Sequence, residues 1–176
     1  MRRLFSTVFL LLVVACSNDD DSANDDPSDI RWVTGVRLVQ SGGSPPIIAG
    51  NPNVLGQKIL IFPNPAIGTF FVDTSLSETI SGVWVRPGTA TKSFDNIDFT
   101  EVLGSTLYQK SEIEANSVLS FPNTNTSNLS VDVSDLDSGY YRVFVEIDGA
   151  FYWENIFVAN TNESVQEIIE FWNSSN

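Results

Sequence analysis

Apolar residues recur at every second position in seven runs along this chain. The alternation runs through 32–39, 58–62, 69–72, 80–85, 128–133, 140–147 and 151–158, the period of strands that bury one face. Turn formers separate the runs: Gly42-Gly43, Pro45-Pro46, Gly50-Asn51-Pro52, Pro87-Gly88, residues 123–128 and Asp148-Gly149. Short strands at this spacing predict an antiparallel β-sandwich of about seven or more strands over residues 30–160. A helical period of useful length appears only afterwards, in 161–176. There Asn162 can cap a helix that starts at Glu163, and Val165, Ile168, Ile169 and Trp172 fall on one stripe.

The last hairpin carries the most informative local geometry. With Asp148-Gly149 as a two-residue type I′ turn, Ile147 opposes Ala150 and Phe144 opposes Trp153. One face then presents Tyr141, Val143, Val145, Ile147, Tyr152, Ile156 and Val158 with a single charge, Glu154, which is an ordinary sandwich core. The other presents Tyr140, Arg142, Phe144, Glu146, Phe151, Trp153, Asn155 and Phe157. That second face is too aromatic to stand in water. Either Phe144, Phe151, Trp153 and Phe157 form a ligand face on which sugar rings stack, or the chain covers its own patch. Ten residues are too few for the terminal helix to persist alone, so its stripe needs a partner. Self-coverage by the 163–172 helix, docked over Phe144, Trp153 and Phe157, is the expected arrangement.

The N-terminus has a different grammar. Arg2 and Arg3 precede an apolar run over 4–14, too short for a bilayer, which needs about 20 apolar residues, and of the kind removed as a secretion signal. The run ends Val13-Val14-Ala15-Cys16, which resembles the lipobox of bacterial lipoproteins. The resemblance implies cleavage after residue 15, lipidation of Cys16 and attachment to the outer membrane. Ser17, Asn18, Asp19, Asp20 and Asp21 open an acidic stretch that runs to Asp29 with no large apolar side chain. Nothing in it offsets the entropy of ordering, so 16–29 is expected to be a disordered tether. It serves as a spacer or, since it resembles the export signal of surface lipoproteins in bacteria that use type IX secretion, as an address for the cell exterior. Asp21-Ser22-Ala23 also resembles an O-glycosylation acceptor of that group.

Composition narrows the chemistry. The 22 acidic residues outnumber nine basic ones, for a net charge of −13, and loss of Arg2 and Arg3 with the signal would bring it to −15. Such a surface repels phosphate backbones, so nucleic acid is not an expected partner. The chain has no histidine and one cysteine. Serine and cysteine triads with histidine, histidine-bound zinc and structural disulfides are therefore excluded, and no cofactor or metal is called for. Asp95 and Asp98 do not stand out among so many acidic residues as a glycosidase pair.

Residues 61–70, Ile-Phe-Pro-Asn-Pro-Ala-Ile-Gly-Thr-Phe, resemble the opening motif of the type IX secretion C-terminal sorting domain. Residues 131–141, in which Leu136, Gly139 and Tyr141 stand before the final hairpin, resemble its later motif. The resemblance covers 58–159 and implies an immunoglobulin-like sandwich. Within it, Pro63 and Pro65 lack ladder donors and should end a strand or lie at an edge, and Gly68 should supply a turn. Asp135 and Asp137 read as turn aspartates, with calcium as the alternative.

The whole describes a non-enzymatic, surface-exposed outer-membrane lipoprotein whose sandwich serves binding or assembly. Its expected partners are the membrane, through the lipid, and a protein or glycan at the cell surface. An accessory or cargo-like component of type IX secretion and a carbohydrate-binding lipoprotein are the alternatives.

Overall fold

The computed structural model describes residue 26 and residues 29–40, 45–53, 58–74, 78–94, 96–98, 108–159 and 165–174. Cys16, the acidic run 17–21, Asp95 and the capping Asn162 lie outside them. Among the described residues the strands are β1 (Trp32–Val33), β2 (Gly35–Leu38), β3 (Ile47–Gly50), β4 (Ile59–Ile67), β5 (Thr69–Thr74), β6 (Ile80–Pro87), β7 (Thr89–Ala90), β8 (Leu119–Thr126), β9 (Asn128–Asp132), β10 (Gly139–Ile147) and β11 (Ala150–Val158). Two helices accompany them, α1 (Lys110–Ala115) and α2 (Val165–Asn173).

Seven strands pair in the order β8-β6-β10-β11-β4-β5-β9. The seam is the parallel contact of β11 with β4, a single pair, Val158 with Ala66. There the sheet folds on itself into two layers, β8-β6-β10-β11 and β4-β5-β9, whose inner faces share one core. Ile61, Phe70, Val72, Val83, Val85, Val131, Val143, Val145 and Ile156 are all fully buried in it. The chain crosses between layers after β5, after β8 and after β9, and closes with the β10–β11 hairpin. At the last crossing the Tyr141 hydroxyl donates to the Asp137 carbonyl at 2.9 Å, a tyrosine tie placed as in immunoglobulin-type sandwiches. The fold is therefore an all-β, immunoglobulin-like antiparallel sandwich with a short C-terminal helix.

The final hairpin has the expected register. Asp148 and Gly149 both have positive φ, 52° and 76°, as a type I′ turn requires, and Phe144 faces Trp153.

Three elements depart from the sequence reading. First, β4 runs through Pro63 and Pro65 rather than stopping there. Its pairing with β5 shifts register between Phe62 and Ile67, so the prolines sit in an irregularity where no ladder donor is missed. Second, β8 occupies part of a stretch read as a turn. Pro122 and its asparagines suit an edge strand paired on one side to β6. Third, α1 is a six-residue helix, too short to leave a period in the sequence.

Candidate functional site

The aromatic outer face of β6, β10 and β11 is closed. Phe144 and Trp153 have no exposed surface, Phe151 is buried, and Phe157 is half-buried. Of the two arrangements open to Phe144, Phe151, Trp153 and Phe157, an exposed ligand face and a face covered by the chain, the structure has the covered one at Phe144, Phe151 and Trp153. The cover is the chain itself: Ile30, Tyr108 and Ile113 join Trp84, Phe144, Phe151 and Trp153 in one buried cluster. The Tyr108 ring meets Phe144 edge-on at 5.8 Å and Trp153 at 5.5 Å, and the Trp153 indole N–H donates to the Asn53 carbonyl at 2.9 Å. These contacts leave no surface of Phe144 or Trp153 on which a ring could stack.

Polar groups pin the cover down. Arg142 is wholly buried. Its guanidinium donates to the Asn155 side-chain oxygen at 3.0 Å, to the Ile30 carbonyl at 3.2 Å, to the Tyr108 hydroxyl at 3.4 Å and to the Trp32 carbonyl. Burial lowers the Arg142 pKa and raises that of Tyr108. The Asn155 amide donates to the carbonyls of Gly35 and Pro52 at 2.9 and 3.0 Å.

Asn64, between the two prolines, does the same along the seam. Its amide donates to the Arg37 and Asn155 carbonyls, at 2.7 and 3.0 Å. Its side-chain oxygen accepts from the Phe157 N–H at 3.0 Å, and its backbone exchanges two bonds with Val39. The buried amide is thus fully used, which explains why an asparagine stands in the middle of an apolar strand.

Glu154 is the single charge on the core face of the hairpin, and its partner is distant in the chain. It is fully buried, and Arg37 of β2 reaches it with two bonds of 2.6 Å from Nε and Nη2. Burial raises the Glu154 pKa, with Arg37 pulling the other way, and the bond to Glu154 raises that of Arg37. Arg37 lies 117 residues away, but the need was legible: a lone carboxylate on a strand's inner face must find a cation or stay neutral.

The terminal helix docks, but only its contact with Phe157 is where expected. Ile168 and Trp172 are buried with Val33, Val36, Leu38 and Ala49, while Val165, Ile169, Tyr140 and Phe157 pack alongside. The Trp172 ring meets Tyr140 edge-on at 5.6 Å, and burial pushes the Tyr140 hydroxyl up to about 12. So α2 reaches the Tyr140–Phe157 end of the hairpin and seats most of its stripe on the β2–β3 pair. Phe144 and Trp153 are covered instead by Tyr108, Ile113 and the segment 30–35, a strap whose carbonyls bond to Arg142 and Asn155. The reason is steric: β2 and β3 occupy part of the ground the helix was assigned. A cleft of about 230 Å³ remains between Tyr140, Phe157, Glu167, Ile168 and Phe171. A second cleft, about 390 Å³, lies beside the hairpin turn near Tyr108, Lys110, Glu146 and Phe151.

Among the described residues nothing covers the opposite outer face, on β4-β5-β9. Phe62 and Phe71 stack at 5.7 Å with 29° between their planes, and Leu60, Ile67 and Phe71 are exposed. Asp132 in β9 accepts from the Ser134 N–H at 2.9 Å and its hydroxyl at 2.6 Å, bonds that lower its pKa. Such a bond is what a turn aspartate makes. Among the described residues no group of three or more histidine, cysteine, aspartate or glutamate side chains is placed to hold a metal ion. No described helix is long and apolar enough to cross a membrane.

Residues 60–159 match the family described as the secretion system C-terminal sorting domain. No curated protein matches the chain. Among solved structures it is similar to a DUF3244 family protein with an immunoglobulin-like β-sandwich fold from Bacteroides vulgatus. The identity is 5%, the match covers 62% of this chain and 97% of that one, and the TM-score is 0.36.

Proposed function

Because this chain belongs to the secretion system C-terminal sorting domain family, we propose that it is a non-enzymatic surface lipoprotein delivered by type IX secretion. In this reading the sandwich serves assembly or binding at the outer membrane. The observation that carries it is that the matched span, 60–159, coincides with β4 to β11, the two-layer sandwich itself. The family signature therefore belongs to the folded body rather than to a stray motif.

The anchor in this reading is Cys16, and the acidic run 17–21 directs the protein outward. Lack of histidine and the single cysteine support a non-enzymatic role, since the commonest bases and nucleophiles are missing. Its partners are the membrane, through the lipid, and a protein or glycan at the cell surface; nucleic acid is not among them.

The test has two arms. Cys16→Ser should abolish labelling by a clickable fatty acid and release the protein from the membrane fraction. Protease added to intact cells should digest the wild-type protein, and digestion should be lost in a strain without functional type IX secretion. Labelling that survives the substitution removes the anchor from the reading. Digestion that survives loss of the secretion system removes the route.

A further inference from the structure

We propose that the free edge of β9 and the apolar ledge beside it form a docking site for an extended protein segment with basic side chains on either side of an aromatic one. The site nucleates on backbone geometry. Thr74 N–H donates to the Ser127 carbonyl at 3.1 Å and Val133 N–H to the Gly68 carbonyl at 2.8 Å. These bonds turn the odd-numbered residues of this stretch toward β5, so antiparallel geometry points the backbone groups of Asn128, Ser130 and Asp132 the other way. Among the described residues no strand lies on that side. At Asn128 the Thr126 hydroxyl already takes both backbone groups, at 2.6 and 3.2 Å. Ser130 and Asp132 are left as the open stretch.

A strand added there would extend the outer face of β4-β5-β9 by one column. That face is ordered in rows by register. Asp73 lies beside Asn128, Phe71 beside Ser130 and Thr69 beside Asp132, with Phe62 beyond Phe71. Ser130 is small, so a large side chain opposite it can lie across to the Phe71 ring. The rows of Asp73 and Asp132 stand on either side, about 14 Å apart along the strands. No lysine or arginine sits on these rows, and the chain carries a net charge of −13. Charge complementarity therefore selects a cationic occupant with an apolar centre. A second copy of this acidic chain is disfavoured on the same ground. The proposal goes beyond the secretion reading and needs neither lipidation nor export.

The purified full chain would be titrated with two labelled strand-forming peptides and followed by fluorescence anisotropy. One carries lysine, tyrosine and lysine at alternate positions; the other has glutamate for each lysine. The lysine peptide should bind, weaken as salt is raised, and beat the glutamate peptide by at least tenfold. Phe71→Ser should cost at least tenfold. Ser130→Pro should cost the same, because it removes the outward N–H while the bonds to β5 stay in place. Both variants should still unfold cooperatively and stay folded at the assay temperature, which separates lost binding from lost folding. Failure of the lysine peptide to bind, equal binding of the glutamate peptide, or unchanged binding by Ser130→Pro overturns the proposal. Self-association, or binding to a neutral glycan array, that Phe71→Ser abolishes while the peptides fail would give the ledge to another occupant and overturn it as well.

Discussion

The two outer faces of this sandwich have opposite fates. The face of β6, β10 and β11 holds Trp84, Phe144, Phe151 and Trp153 and is sealed by the chain. The face of β4-β5-β9 holds fewer rings, Phe62 and Phe71, and is left uncovered by the described residues. Aromatic content alone does not tell which face is left uncovered. What separates them is polar chemistry. The sealed face contains Arg142 and Asn155, whose donors fix the strap's carbonyls in place. The open face has small and acidic groups, Ser130, Asp73 and Asp132, that suit an incoming partner better than a permanent cover. A buried polar staple marks a face closed in cis.

The strongest way to break this contrast is to remove the staple. Arg142→Met keeps most of the side-chain volume but strands the carbonyls of Ile30 and Trp32 and the Asn155 oxygen. Leaving a buried acceptor unsatisfied costs about 1–3 kcal/mol each, so the variant should lose about 3 kcal/mol or more in urea unfolding. Its aromatic face should then bind a hydrophobic dye. A loss below about 1 kcal/mol would mean that the strap is held by its apolar contacts alone.

Trp172→Ala comes next. A buried tryptophan truncated to alanine costs roughly 3–5 kcal/mol, and the lower end is expected here because the helix lies at the edge of the cover. The backbone below is shaped for this ring. Gly50 has φ of 69°, and a Cβ there would stand 2.7 Å from Trp172 Cε3. Gly50→Ala should therefore loosen the same helix. Both effects should appear as faster hydrogen exchange in 165–173, with β10 and β11 unchanged. Exchange that rises in the hairpin as well would make the helix part of the sandwich's own stability.

How much of this was legible in the sequence follows from range. The hairpin register was legible because a two-residue turn fixes it locally, and Phe144 does oppose Trp153. The need to cover the aromatic face was legible too, from the alternation of residues 140–158. The identity of the cover was not. It comes largely from Ile30, Tyr108 and Ile113, whose short, aperiodic segments leave no pattern, and it is pinned by Arg142 across 112 residues. Likewise the proline-flanked Asn64 read as a strand end because its true partners, Arg37, Val39, Asn155 and Phe157, are distant in the chain.

The Arg37–Glu154 pair sharpens the comparison through pH. Burial raises the folded pKa of Glu154 above its unfolded value. The contribution of such a group is fully present below the unfolded pKa and is lost as pH rises through the folded one. Wild-type stability should therefore gain on Glu154→Gln as pH falls from neutrality toward the ordinary carboxylate range. Urea melts of both proteins across that range would check it. A gap that widens in favour of the variant on acidification would mean that Arg37 outweighs burial.

The smallest expected effect tests the open face. Phe71 is 36% exposed and stacks on Phe62, so Phe71→Ser forfeits an aromatic pair worth roughly 0.5–1.5 kcal/mol beyond area. The rest of its surface leaves water on folding, and that partial burial adds to the loss. The net cost should be about 1–2 kcal/mol, below that of a fully buried ring. On the sealed face Phe144→Ser, in a site with no exposed surface, should cost at least as much as the roughly 3–5 kcal/mol of a phenylalanine-to-alanine truncation. The ratio of the two losses in parallel urea melts measures how differently the faces are used. If Phe71→Ser proved nearly as damaging as Phe144→Ser, the ledge would be part of the fold's own packing. Its exposure would then be no sign of a partner.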